Sequence, residues 1–429
     1  MTRKTIALIA AAAVAALALS TQAQAQAPAC THTVGMVVSL TGAAARFGQA
    51  AAKSVELAFN EINTAAGSAG VAGCKLAFDL RDAQSQGSVA VDQARQLVDL
   101  KKVPAIIGGI ISSVSIPIVT SVTGPAGVVQ ISPASTSPTL TRLGNEGTTK
   151  GWFFRTITSD ALQGTAAAKY ALDQGLKQLA IIHVNNDFGV NMLAEFRRAY
   201  EALGGKVLSV TPYNPNQPSY AAEVTNAGKG EPPALYFIGY PGDGTSVIRT
   251  WVQQGGARKF LFNDGMNSAD FIKGVGPQFL NDAYGTSSGT SRTASTDYFA
   301  KAYPLMSGGF DAGAPAADRA FDAGAILALA IAHAGKFEAA AIRDSIRRIT
   351  APGGEVVHAG PDGFKRALQL IREKKAVRYV GVIGAVEFDK VGDIVGPFRT
   401  WKLVNGEVTT VGQMSTEEVQ AVQAKLPAR

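Results

Sequence analysis

The chain has 429 residues, 46% of them apolar and only 17% charged, with 46 glycines and a formal charge of +7. That length suits two compact domains. The basic residues occur at most in pairs such as Lys101-Lys102, Arg197-Arg198 and Arg347-Arg348, which argues against a nucleic-acid stripe. Two cysteines and four histidines leave little material for a structural zinc site, which takes four such ligands. The one long uncharged stretch, residues 6–19, is shorter than the roughly 20 residues of a spanning helix.

Arg3 and Lys4, the apolar run 6–19 and the small-residue ladder TQAQAQA have the order of a secretory signal peptide, with Ala23-Gln24-Ala25 as the expected cleavage site. The expectation is an exported protein beginning at residue 26, two positive charges poorer. Cys30 and Cys74 survive cleavage and enter an oxidising compartment, where such a pair becomes a disulfide. Each precedes an apolar run, so neighbouring parallel strands would bring both thiols to one sheet edge. Lipidation of Cys30 is the alternative, but Ala27-Pro28-Ala29 lacks an aliphatic lipobox start.

Short apolar runs then alternate with amphipathic stretches, the pattern of α/β domains with parallel sheets. In chain order the spacing predicts strand 34–39, helix 48–64, strand 75–81, helix 88–101, strand 105–108, helix 113–122 and strand 128–131. A second set follows: helix 160–174, strand 178–183, helix 189–203, strand 206–212, helix 220–228, strand 234–238, helix 245–254 and strand 259–263. Helices 316–334 and 339–349 come next, and 398–411 reads as a hairpin turning at Asn405-Gly406.

Ligands of open α/β sheets sit at the carboxyl ends of the strands. That rule selects the turn Ser112-Ser113 after the third strand and Ala134-Ser135-Thr136 after the fourth, hydroxyl-rich segments able to hold a carboxylate. In the second set it selects NNDFG at 185–189, GYPGDG at 239–244 and Asn263-Asp264-Gly265. Asp264 can pair with a cationic ligand group or serve as an ordinary Asp-Gly turn. GTSSG at 285–289 matches a nucleophile elbow around Ser287, yet a polar run follows where a helix is required and no histidine partner is evident. GYPGDG has no Walker lysine, and its glycines are expected to let the chain approach a small ligand. No cofactor, metal or catalytic machinery is expected.

The ordered set GMVVSLTGAAARFG (35–48), IGGIISS (107–113), ISPASTSPTLT (131–141), IIHVNNDFG (181–189), YFIGY (236–240), Asn263-Asp264-Gly265 and Phe321-Asp322-Ala323 resembles the leucine/isoleucine/valine-binding family of type I periplasmic solute-binding proteins. The resemblance implies two doubly wound lobes with three crossovers, near Thr156, Thr286 and Gly396, and a ligand in the cleft between them. One lobe would hold 26–156 and 287–396, the other 157–286 and 397–429. Carried over, the carboxylate-binding positions are Ser112 and Thr136, flanked by Ser113 and Ser135. The ammonium-binding positions are Ala134 (carbonyl), Thr136 and Asp264, and Phe47, Phe188 and Tyr240 wall the ligand side chain. The family commonly has Glu at Asp264 and Tyr at Phe47 and Phe188. The implied role is a monomer that delivers a small apolar amino acid to an inner-membrane ABC permease. Alternatives are an aromatic or short aliphatic acid or an amide in the same cleft, a sensory module, and, from another class, a secreted hydrolase using Ser287. Segment 354–379 has no role assigned by either reading.

Overall fold

The computed structural model describes residues 30–427, so the expected leader and its cleavage site lie outside the described residues. The first sheet contains β1 (Thr31–Val38), β2 (Lys75–Asp82), β3 (Ala105–Gly108), β4 (Val129–Ser132) and β5 (Phe153–Arg155), in the order β2-β1-β3-β4-β5, all parallel. Every residue of β3 and β4 is buried, as in strands covered by helices on both faces. The strand order reverses between β1 and β3, which opens a crevice at their carboxyl ends.

The second sheet contains β6 (Gln178–Val184), β7 (Lys206–Tyr213), β8 (Leu235–Ile238), β9 (Lys259–Phe262) and β10 (Asp282–Ser288). A third sheet is built from β11 (Glu355–His358), β12 (Val377–Gly381) and β13 (Gly384–Ala385). The final strands, β14 (Phe398–Val404) and β15 (Glu407–Met414), return to the second sheet, ordered β15-β14-β10-β9-β8-β6-β7. There β14 runs antiparallel to β10 and to β15, while the other pairs are parallel. Between β10 and β14 the chain goes back to the first sheet's side, where helix Ala317–Ala334 packs on helix Ala45–Ala66. The middle of helix Ala317–Ala334 is buried on every side, which its alanine-rich sequence permits.

Four segments depart from the sequence reading or add to it. The polar segment 282–288 is a strand, because it lies between β9 and β14 and its Gly285 receives the Trp401 ring, where a Cβ would come within 2.1 Å of Cζ2. Pro241–Gly244 is the first turn of helix Pro241–Gln253, with proline at its preferred first position, so those glycines form no ligand loop. The helices expected at 88–101 and 113–122 each finish in a π-helical segment, Gln96–Leu100 and Val119–Thr123. Segment 354–379 supplies β11, most of β12 and helix Pro361–Arg372, which packs on helices Ala45–Ala66 and Ala317–Ala334.

Cys30 and Cys74 are joined, and they sit one residue ahead of Thr31 and Lys75, which pair in register at the starts of β1 and β2. The bond therefore staples the sheet edge opposite the strands' carboxyl ends. Among the described residues no single helix is long and apolar enough to cross a membrane.

Candidate functional site

The carboxyl ends of both large sheets face one cavity of about 220 Å³. Its lining includes Ser112 beyond β3 and Ala134 and Thr136 beyond β4. From the second sheet come Phe188, Tyr240 and Asp264, beyond β6, β8 and β9, and Phe47 reaches it from helix Ala45–Ala66. Seven of the nine expected ligand residues thus meet in one space.

Ser113 and Ser135 do not line it. Ser135 is fully buried with its hydroxyl 2.6 Å from Ser115 Oγ, inside a knot in which Ser132 Oγ donates to the Gly109 carbonyl (2.7 Å). Gln130 in β4 ties that knot to β3 by donating to the Gly108 carbonyl (3.0 Å). Gly108 itself has φ +145°, and a Cβ there would lie 2.1 Å from the Val37 carbonyl oxygen, so only glycine turns the chain toward Ser112.

The hydroxyl polarities are set by protein partners. Ser112 Oγ accepts from the Ser137 N–H (3.1 Å), which leaves its own hydrogen free for an acceptor. Thr136 Oγ1 instead donates to Asp160 Oδ2 (2.7 Å), which leaves its oxygen lone pairs free for a donor. Among the described residues the Thr136 backbone N–H has no protein partner.

Sequence reasoning missed what holds this turn. Arg155, fully buried at the end of β5, forms a two-pronged pair with Asp393 (2.7 Å on each arm) and donates to the carbonyls of Ser135 and Ser137 (3.2 Å each). Thr136 lies between those two tethered residues. The pairing spans 238 residues of sequence, so no local signal could have revealed it.

Asp264 is held from beside by Asn263, whose Nδ2 lies 3.2 Å from Asp264 Oδ1 and whose Oδ1 accepts from the Gly239 N–H. It has no ion-pair partner among the described residues. Burial pushes its carboxyl above the usual aspartate range, against the hydrogen bonds that favour ionisation. Asp160, behind Thr136, is pushed well up, first by burial and then by the Asp264 charge. Nearby, the Gln163 amide is buried without closing a good hydrogen bond to any group.

The apolar wall is aromatic. Tyr240 stacks on Phe188 at 5.6 Å and meets Phe47 edge-on at 6.4 Å, while its hydroxyl accepts from Asn186 Nδ2. Phe47 and Tyr240 come from different halves of the molecule, as do Arg46 and Asp270, which pair at 2.5 Å on the surface. Ser287, the elbow candidate, lies within β10, where its Oγ accepts from Trp401 Nε1 (2.9 Å). Ser287 is not at the strand-to-helix turn of an elbow, and among the described residues no histidine hydrogen-bonds to it.

Residues 31–373 match the family described as periplasmic binding protein. An amino acid binding protein of Pseudomonas aeruginosa is 28% identical over 58% of this chain and 64% of its own length. Leu/Ile/Val-binding protein homolog 3 of Brucella melitensis is 27% identical over 56% and 62% respectively, so the chain spans a little under two thirds of these curated relatives. Among solved structures, leucine binding protein LivK from Thermotoga maritima superposes with a TM-score of 0.74 at 22% identity, covering 90% of this chain and 99% of that one. A solute binding protein of R. palustris in complex with benzoate gives 0.72 at 16% identity, covering 90% and 97%. At these identities the likeness is one of fold: two α/β lobes of the type I periplasmic binding proteins.

Proposed function

The chain belongs to the periplasmic binding protein family, and on that premise we propose that it is the periplasmic solute-binding component of an ABC importer, taking a small amino acid with an apolar side chain between its lobes. The observation that carries this reading is the division of labour around one cavity. Ser112 offers a free hydroxyl hydrogen, and Thr136 offers a free oxygen and an unengaged N–H. Asp264 offers a partly buried carboxyl with no ion-pair partner among the described residues.

In this reading the ligand carboxylate takes the Ser112 hydroxyl and the Thr136 N–H. The ammonium takes Asp264, the Thr136 oxygen and the Ala134 carbonyl. Each such charge-assisted bond is worth about 1.5 to 3 kcal/mol. The side chain lies against Phe47, Phe188 and Tyr240. Residues 26–156 with 287–396 act as one lobe and 157–286 with 397–429 as the other, closing about the crossings near Thr156, Thr286 and Gly396. The closed monomer is what an inner-membrane permease would receive.

A second reading, an aromatic or short aliphatic acid without an ammonium, is favoured by one observation. Two carboxyls whose neighbourhood favours protonation, Asp160 and Asp264, can hold a proton in place of a ligand cation. The relative with benzoate supports it by analogy of fold. Calorimetry of refolded, ligand-stripped protein against L-amino acids and their deaminated acids tests both. The main reading expects L-leucine or a close relative to bind at micromolar concentration or tighter. Absence of amino-acid binding at millimolar concentration rejects it.

A further inference from the structure

Two guanidinium groups line the cavity, Arg319 and Arg399, and their commitments differ. Arg319, in helix Ala317–Ala334, is fully engaged. It pairs with Asp318, and its Nη2 donates to the carbonyls of Ser288 (2.8 Å) and Gly289 (3.2 Å). The side chain of Arg399, on β14 directly opposite Ser287, makes no hydrogen bond or ion pair among the described residues, and its Nε is buried without a partner. Burial weighs most against its charged state; the Asp318 charge acts next, in favour of that state, and the Arg319 charge last, against it. A guanidinium stays charged regardless, so its desolvation is offset only in part, by the Asp318 charge, until an anion arrives.

The charged lining consists of Asp264, Asp318, Arg319 and Arg399. Asp318 and Arg319 pair with each other, which leaves Asp264 and Arg399 as the two charged groups of the lining without an ion-pair partner among the described residues. An apolar amino acid satisfies only the first. We infer that the bound solute carries a second carboxylate, distinct from the one at Ser112, and that Arg399 receives it through its planar two-pronged face. The ligand class is then an amino acid whose apolar stem passes the rings of Phe47, Phe188 and Tyr240 and ends in a carboxylate. This rests on the preceding proposal only in that an amino acid occupies the cleft, and it replaces the wholly apolar side chain of that proposal with one that ends in a carboxylate.

The test is calorimetry of ligand-stripped protein with L-norleucine, L-glutamate and L-2-aminoadipate, on the native chain and on Arg399→Met and Arg399→Lys. The native chain should bind a two-carboxylate probe at least about 30-fold tighter than L-norleucine, the lower end of what a desolvated charge pair contributes. Arg399→Met should erase that preference while changing L-norleucine affinity less than about threefold, and Arg399→Lys, which keeps charge without the fork, should retain part of it. Binding of L-norleucine or L-leucine with no gain for either two-carboxylate probe overturns this inference and leaves the amino-acid reading intact. So does an equal loss for all probes in Arg399→Met. Binding of no probe by the native chain overturns both.

Discussion

Replacing Arg155 by Met is the perturbation whose cost the structure specifies best. The side chain has no exposure and its partner Asp393 is 10% exposed, so the substitution leaves a buried carboxylate without its cation. Breaking such a pair from one side costs about 3 to 5 kcal/mol. The Ser135 and Ser137 carbonyls and Thr141 Oγ1 also lose a donor, each worth about 1 kcal/mol. Urea denaturation followed by circular dichroism, read on the first transition because the two lobes need not unfold together, should show at least about 3 kcal/mol of destabilisation. Adding Asp393→Asn should recover part of it, since the stranded charge is gone. Affinity for ligand should fall in the same variant, because Thr136 is held between the two untethered carbonyls. A loss under about 1 kcal/mol, the scale of an exposed pair, would refute the reasoning, as would full affinity in a destabilised variant.

Other expectations follow from the same groups. Burial raises Asp264 above the ordinary 3.8, so in the empty site it keeps its proton at pH values where a free aspartate has lost it. An ammonium-bearing ligand must expel that proton; its affinity should rise with pH above 3.8 while that of a deaminated analogue falls, and calorimetry in buffers of different ionisation enthalpy should detect proton release. Asp322, buried beneath Tyr379 and the backbone N–H groups of Val382 and Ile383, is raised to about 7, first by burial. The folded chain then binds this proton more tightly than the unfolded one. Its stabilising contribution is complete below 3.8 and is lost as pH rises to about 7, roughly 4 kcal/mol in all. Unfolding free energies across that range should slope downward, and less so in Asp322→Asn. Removing the Cys30–Cys74 bond with Cys74→Ser should cost about 2 to 4 kcal/mol yet leave ligand affinity within about twofold, because the bond lies at the other end of the strands; a large affinity loss at unchanged stability would show that this separation is wrong.

The parallel strands were legible because each is a short apolar run with a glycine or polar turn after it, as in 105–108 and 235–238. Segment 282–288 was not, since β10 is buried through close packing against Trp401 and pairing on both sides, which its Gly, Thr and Ser residues do not advertise. The third sheet hid for a related reason: β11 and β13 are short, and their partner β12 is recognisable only once helix Pro361–Arg372 is docked. In the cleft, Ser112, Thr136, Asp264, Phe188 and Tyr240 stand at strand ends that topology selects, whereas Phe47, on helix Ala45–Ala66, was reached only through the family resemblance. The placement of Ser135 was not legible, because composition cannot tell a hydroxyl facing the cavity from one buried in a serine knot. Arg155, Arg319 and Arg399 were passed over because their meaning lies in pairing, or in the lack of it, across distant segments.

A crystal structure of the protein with the amino acid that binds it most tightly tests the central claim most directly. The account predicts the ligand ammonium within about 3 Å of an Asp264 carboxylate oxygen, and the ligand carboxylate on the Ser112 hydroxyl and the Thr136 N–H. A carboxylate turned toward Asp264, or a ligand outside the cavity that Ser112, Thr136 and Asp264 share, would contradict it.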